Sequence, residues 1–326
     1  MIVGQGIAGT LLACSLLRRK AQVRIVDADV PGRSSFIAAG IINPVTGKRF
    51  VKSWRFDEFF PVAKKVYQNL EQEFGISIWE ERPTVRLLHT PEELNDWSIR
   101  CAQAEYADYL DEAQDAGTWG PFLRPGFRFG VIQRSARVKF PLLLATFREI
   151  NQKTGVFFEE SIDYQNIETY LKNFDRVVFC EGWPAKSNPF FPETPFRISK
   201  GEALIIRFFP AQAVLPTEML KKNLLVAPLG DGTFWAGSTF EWQFMDHLPS
   251  IEAREQVLGY LEEMFDCAFE IVDQVAGIRP TMLDRRPVSK QSDVNPRVFM
   301  FNGLGTKGAL LAPFFAEQLA NEICRS

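Results

Sequence analysis

Gly4, Gly6 and Gly9 stand at the spacing G-x-G-x-x-G close to the start of the 326-residue chain. Their surroundings constrain the fold more than the glycines do. An apolar run, Met1 to Val3, precedes them, and an amphipathic run, Ile7 to Lys20, follows. A second apolar run, Val23 to Val26, then ends in Asp27. Strand, glycine turn, helix, strand and acid in that order form the dinucleotide-binding fingerprint in its required context. Gly4 makes the tight turn, Gly6 lets backbone approach a pyrophosphate, and Gly9 lets the helix pack on the strand. The free N–H groups and dipole of the helix start then favour phosphate. Asp27 accepts hydrogen bonds from a ribose diol and disfavours a 2′-phosphate. Only three residues precede Gly4, so the first strand is short.

Further elements follow from periodicity and caps. Helical spacing runs from Phe59 to Phe74, and Thr84 to Leu88 reads as a strand. Thr90-Pro91 opens a helix with a cap and a proline at its first position, and Val138 to Thr154 opens another. Val156 to Glu160 and Arg176 to Cys180 read as strands, as do Ala203 to Phe208, Leu224 to Pro228 and Thr233 to Gly237. Asp231-Gly232 is a hairpin turn between the last two. A helix over Ile251 to Phe265, a strand over Val298 to Phe301 and a helix from Thr306 to Ile323 complete the chain. Nucleotide-type elements lie at both ends and β-rich material lies between. The expected fold is α/β, a discontinuous nucleotide-binding Rossmann-like domain (1–55, 136–200 and 270–326), for NAD or FAD, with an inserted antiparallel-sheet α+β substrate domain (56–135 and 201–269).

The composition excludes several functions. A net charge of −3 gives no global field for nucleic acid or an anionic membrane. The five cysteines are scattered without a C-x-x-C pair, which points to a reducing, cytoplasmic compartment and no zinc site. Two histidines disfavour a histidine metal centre, and no apolar run has the length of a membrane helix. The 29 phenylalanines predict a bulky aromatic core or pocket. Lys48, Arg49, Lys52 and Arg55 cluster around Trp54. Such charge reads first as a solvated loop, and second as a loop receiving an anionic substrate.

Several stretches together resemble the D-amino-acid oxidase family of FAD-dependent oxidoreductases. They are Ser34-Ser35-Phe36-Ile37-Ala38-Ala39-Gly40 after the second strand, Val177 to Gly182, and Lys200-Gly201-Glu202, similar to that family's R-G-Q crossover. Gly277-Ile278-Arg279-Pro280-Thr281 with Asp284 and Pro287 resembles G-x-R-P-x-x-x-D-x-x-P. Gly303-Leu304-Gly305-Thr306-Lys307-Gly308 with Leu311-Ala312-Pro313 resembles the final glycine turn and helix. The resemblance runs in order over nearly the whole chain. It is shared between glycine and sarcosine oxidases and the oxidase domain of the bifunctional enzyme that modifies carboxymethylaminomethyl-uridine in tRNA.

The resemblance implies non-covalent FAD, since no cysteine stands in the final turn. Gly4, Gly6 and Gly9 would hold the pyrophosphate, Asp27 the ribose, and Ser34 or Ser35 a phosphate. Ala39 and Gly40 would back the isoalloxazine, and Gly182 would lie near the adenosine or pyrophosphate. Gly303, Gly305, Thr306, Lys307 and Gly308 would bring a helix start to the flavin C2 carbonyl, with Lys307 adding charge if it points inward. Arg279 is the expected carboxylate clamp, because a guanidinium grips a carboxylate bidentately; its structural alternative is an ion pair with Asp284 or another acid. The strand that carries a tyrosine in glycine-oxidase-like enzymes has Leu225 instead. The implied reaction is oxidation of the C–N bond of a small amine or amino acid by hydride transfer to flavin N5. Oxygen is one candidate acceptor. The alternatives are a tRNA-modifying amine oxidase, disfavoured by the net charge, and a non-catalytic FAD-binding or redox module.

Overall fold

The computed structural model describes residues 1–209 and 214–325. Its first layer is a six-stranded sheet in the order Phe157–Glu159, Ile25–Asp27, Ile2–Val3, Val177–Phe179, Val298–Asn302, Val288–Gln291. All neighbours run parallel except the last pair. Ile2–Val3 lies near the middle, paired on both sides, so its shortness is tolerated: Ile2 and Val3 face Ile25 and Val26 on one flank and Val178 and Phe179 on the other. The strands are apolar throughout because both faces are covered. The helices Ile7–Arg18 and Gly308–Arg325 pack against each other beside one face, with Leu11, Leu12, Leu311 and Leu319 buried in the same cluster. Met1, Val3, Val26, Phe179 and Met300 face a second cluster closed by Phe190 and Phe191.

The second layer is an eight-stranded sheet ordered Phe269–Arg279, Ser199–Phe208, Phe234–Gly237, Leu225–Pro228, Met219–Lys221, Thr84–Leu88, Arg128–Ile132, Leu110–Ala113. Only the Met219–Lys221 pairing with Thr84–Leu88 is parallel. One face packs on the helix Ile251–Met264, whose Val257 and Leu261 are buried with Leu204, Ile206 and Val226. The abundant phenylalanine is used here: Phe122, Phe208, Phe234 and Phe265 surround Trp119. The other face turns toward the nucleotide layer. A small sheet of Ile41–Ile42, Ala136–Val138 and Trp79–Glu81 joins the layers.

Most expected elements form, with ends moved by a few residues. The Asp231 turn closes through Asp231 Oδ1, which accepts from Thr233 N and Oγ1. Thr90 and Glu93 complete a capping box on Pro91–Cys101. Phe269–Arg279 pairs along its length with Ser199–Phe208, so it belongs to the eight-stranded sheet. The helix Phe56–Phe74 packs on the nucleotide side, where Phe59 meets Phe314 and Tyr67 donates to the Ala309 carbonyl. An amphipathic helix does not declare in its sequence which layer it covers.

Candidate functional site

A cavity of about 200 Å³ opens between the layers, above the carboxyl ends of the central parallel strands. Gly4, Gly6, Asp27, Ser34, Ser35, Ala39, Gly40, Gly182, Arg279, Gly305, Thr306 and Gly308 all line it. Gly9, Gly303 and Lys307 do not form part of its wall.

The glycine turn is shaped by contact. A Cβ on Gly9 would lie 1.9 Å from the Gly4 carbonyl oxygen, and one on Gly4 would lie 2.5 Å from the Cys180 carbonyl oxygen. Gly4 also has φ of +97°, which only glycine adopts easily. The helix that follows has no side-chain cap and no acid in its first turn. Ile7 N donates to Ser35 Oγ at 3.2 Å, which draws the Ser34–Phe36 turn against the helix start. A helix start with glycines below it and no built-in anion suits a diphosphate.

Asp27 is more deeply engaged than a free ribose acceptor. Its carboxylate accepts from the backbone N–H groups of Gln5 and Asp29 and pairs with Arg33 at 3.1 Å. It therefore also fixes the turn after the first strand. Arg33, which lines the cavity beside it, lies over Phe36. Gly40 has a reason beyond the cavity: at φ of +71° a Cβ would meet the Val138 carbonyl oxygen at 1.9 Å. Gly303 is required because Met282 lies against it, with Cγ 2.5 Å from a built Cβ. Lys307 turns its ammonium to Ser53 Oγ at 3.4 Å, and burial with the nearby Arg285 lowers its pKa. Its charge thus goes to the loop at 53. Glu181 lines the cavity as a half-buried residue whose carboxyl pKa is raised by desolvation, against the opposing hydrogen bonds from Tyr164 and Asn188.

Arg279 is the main finding at the opposite wall. It is 9% exposed, at the end of its strand. Nη2 donates to Ser238 Oγ at 2.6 Å and to the Thr239 carbonyl at 3.2 Å, and Nη1 to the Lys200 carbonyl at 3.4 Å. Phe240 covers it, 4.4 Å from Cζ to the ring centre. Asp284 instead caps its own turn, accepting from Arg286 N. Among the described residues Arg279 has no carboxylate partner. Burial alone lowers its pKa to about 10. A cation so placed costs stability until an anion joins it.

Leu225, at the place where glycine-oxidase-like enzymes carry a tyrosine, forms an apolar wall with Met219 and Ala227, packed against Ile41 and Trp235. Trp235 Nε1 donates to the Ile37 carbonyl at 3.1 Å and joins the two walls. Arg137 does the same, donating to the Ala39 and Pro228 carbonyls while paired with Glu80. Arg33, Trp235, Ser238 and Arg137 were not singled out from sequence. Only Arg33 carried a signal, standing next to the Ser34-Ser35 turn. Half of the basic loop is neutralised: Lys52 pairs with Asp57 and Arg55 with Glu58. Among the described residues no His, Cys, Asp or Glu cluster could hold a metal ion, and no helix is long and apolar enough to cross a membrane.

A glycine-floored helix start above a parallel sheet, with the cavity roofed by a second sheet, defines a protein that binds a dinucleotide cofactor. The match to known families is specific: residues 1–322 fit the model of DAO, FAD dependent oxidoreductase. The chain belongs to this family; it is an FAD-dependent oxidoreductase. It is 25% identical to glycine oxidase of Pseudomonas putida, covering 96% of this chain and 91% of that one. It is 22% identical to the tRNA 5-methylaminomethyl-2-thiouridine biosynthesis bifunctional protein of Marinobacter nauticus, covering all of this chain and 55% of that protein. Its fold matches iminodiacetate oxidase of Chelativorans sp. BNC1 at a TM-score of 0.80 and 19% identity, over 100% and 95% of the two chains. The same fold is seen in glycine oxidase of Geobacillus kaustophilus, at 0.79 and 19% identity over 100% and 94%.

Proposed function

We propose that the protein oxidises the C–N bond of a small amine or amino acid whose carboxylate is held by Arg279. The observation that carries this reading is a buried guanidinium with no acid partner among the described residues, in the same cavity as the glycine turn. Relatives named glycine oxidase and iminodiacetate oxidase support a carboxylated amine.

The helix start at Ile7, with Gly4 and Gly6 beneath it, would hold the pyrophosphate, and Asp27 would share its carboxylate with the ribose. Gly305, Thr306 and Gly308 would place the last helix start at the flavin ring, where a positive dipole end favours the charge of the reduced form. FAD supplies the hydride acceptor. The chain supplies position. Arg279 and Ser238 fix the carboxylate end, Trp235 and Ile41 bound the space, and Phe240 screens the guanidinium from water. Holding the substrate in one orientation converts binding into rate. No side chain need act as a strong base if the amine enters neutral.

The test is anaerobic mixing of the holoenzyme with a panel of amines and amino acids while the flavin absorbance is followed. Bleaching by a carboxylated amine supports the reading. A flavin that no amine bleaches counts against it and favours a binding module.

A further inference from the structure

The side of the eight-stranded sheet that turns toward the cavity carries, outside the cavity wall, a pair of cations that the proposed function leaves unused. Ala203, Gly237, Leu225, Lys221 and Arg86 are register partners in succession across adjacent strands. Partners in register present side chains on one face. That face is the cavity's: Trp235, two residues from Gly237, lines the cavity, and Met219, two residues from Lys221, packs with Ile41 and Trp235. The row therefore leaves the apolar wall at Leu225 and arrives at Lys221 and Arg86.

The two cations are poorly compensated. Arg86 is 8% exposed, and its Nε has no hydrogen-bond partner among the described residues. Its Nη1 donates to the Lys222 carbonyl at 2.8 Å, and Nη2 reaches Glu93 at 3.4 Å. Glu93 is already committed to the backbone N–H groups of His89 and Thr90. Lys221 is half-buried, and its ammonium has one long contact, 3.4 Å to the Asn223 carbonyl. Burial and the adjacent Arg86 lower its pKa to about 8. Lys222 beside them is drawn off toward Glu263 at 3.6 Å. Two neighbouring cations, of which only Arg86 reaches a carboxylate and that one already committed, call for an anion.

We propose that Lys221 and Arg86 form a second anion site, which takes a distal carboxylate or phosphate of the substrate while its chain lies along Leu225. The proposal rests on Arg279 holding the first carboxylate. The Arg279 guanidinium lies over Gly201, and Lys221 stands three strands further across the sheet, at about 4.8 Å per strand. The substrate is then an elongated dianion.

The test uses the oxidised holoenzyme and needs no turnover. Binding of succinate, adipate and suberate is followed by flavin absorbance, with butyrate, hexanoate and octanoate as controls of one charge. Phosphonoalkanoates form a further arm that separates phosphate from carboxylate at the distal end. One of the longer dianions should bind about tenfold or more tighter than its one-charge control. Lys221→Met should close that gap and Lys221→Arg should keep it. Equal binding of both series at every length would overturn the proposal, as would Lys221→Met weakening both equally. A protein that oxidises no amine would fail the proposed function and still give a reading in this assay.

Discussion

The guanidinium of Arg279 lies against the backbone of Gly201, so that a Cβ there would stand 1.7 Å from Nη2. The glycine of the Lys200-Gly201-Glu202 stretch is thus a seat for the arginine. Its neighbours Lys200 and Glu202 pair with each other at 3.0 Å, and Glu202 holds Ser250 and Gln274. Gly201→Ala should displace the guanidinium and weaken carboxylate binding ~10–100-fold, the loss of a charge-assisted hydrogen bond. Titration of the flavin spectrum with a carboxylate ligand checks this, with flavin content as the control for folding. Unchanged affinity would mean that Arg279 is not the carboxylate's partner.

Replacing Arg279 itself should separate stability from binding. The substrate-free protein carries the cost of an unpaired buried cation. Arg279→Met should therefore leave unfolding stability unchanged or raise it by about 1 kcal/mol or more, while carboxylate binding is lost. Denaturant unfolding of the ligand-free protein measures the first part. A fall of more than about 2 kcal/mol would assign Arg279 a structural role.

The pH dependence has a defined sign. Burial lowers the Arg279 pKa to about 10, so the guanidinium is charged below that value. Carboxylate affinity should hold from neutral pH upward and fall as pH rises through about 10. Arg279→Lys should alter that profile. An affinity independent of pH up to 12 would show that the charge is not used.

Two glycines of the first turn should fail in different ways. Gly9→Ala drives a methyl into the backbone oxygen of Gly4, which cannot turn aside. It should cost about 1–3 kcal/mol of stability and release flavin. Gly6→Ala meets only Ser35 Oγ at 3.2 Å, a side chain that can rotate. It should leave the fold intact and weaken FAD binding, because the backbone no longer approaches the phosphates. Melting of the apoprotein and flavin titration separate the cases.

The nucleotide layer was legible because its signals are local. The glycine spacing, Asp27 and the caps each act within a few residues. The final glycine turn was legible as a motif, but the direction of Lys307 was not, since it is decided by Ser53 from a distant loop. Asp27 was read as a ribose acceptor, and its bonds to Gln5 and Asp29 emerge only when the turn closes on it. Arg279 was found through its motif, but its freedom from Asp284 depends on the Arg286 turn. The strand Phe269–Arg279 was missed as a whole, being mixed polar and apolar, with a register shift against its partner near Ile205. The row from Leu225 to Arg86 is a product of strand pairing across distant segments, which no local pattern reveals.

The central claim is that Arg279 holds the carboxylate of the molecule whose C–N bond is oxidised. The most direct measurement is anaerobic flavin reduction by an active amino acid and by its uncharged amide, in the wild type and in Arg279→Met. The wild type should bleach with the acid at concentrations about tenfold or more below those needed for the amide, and Arg279→Met should remove that preference. Equal preference in both proteins would contradict the account.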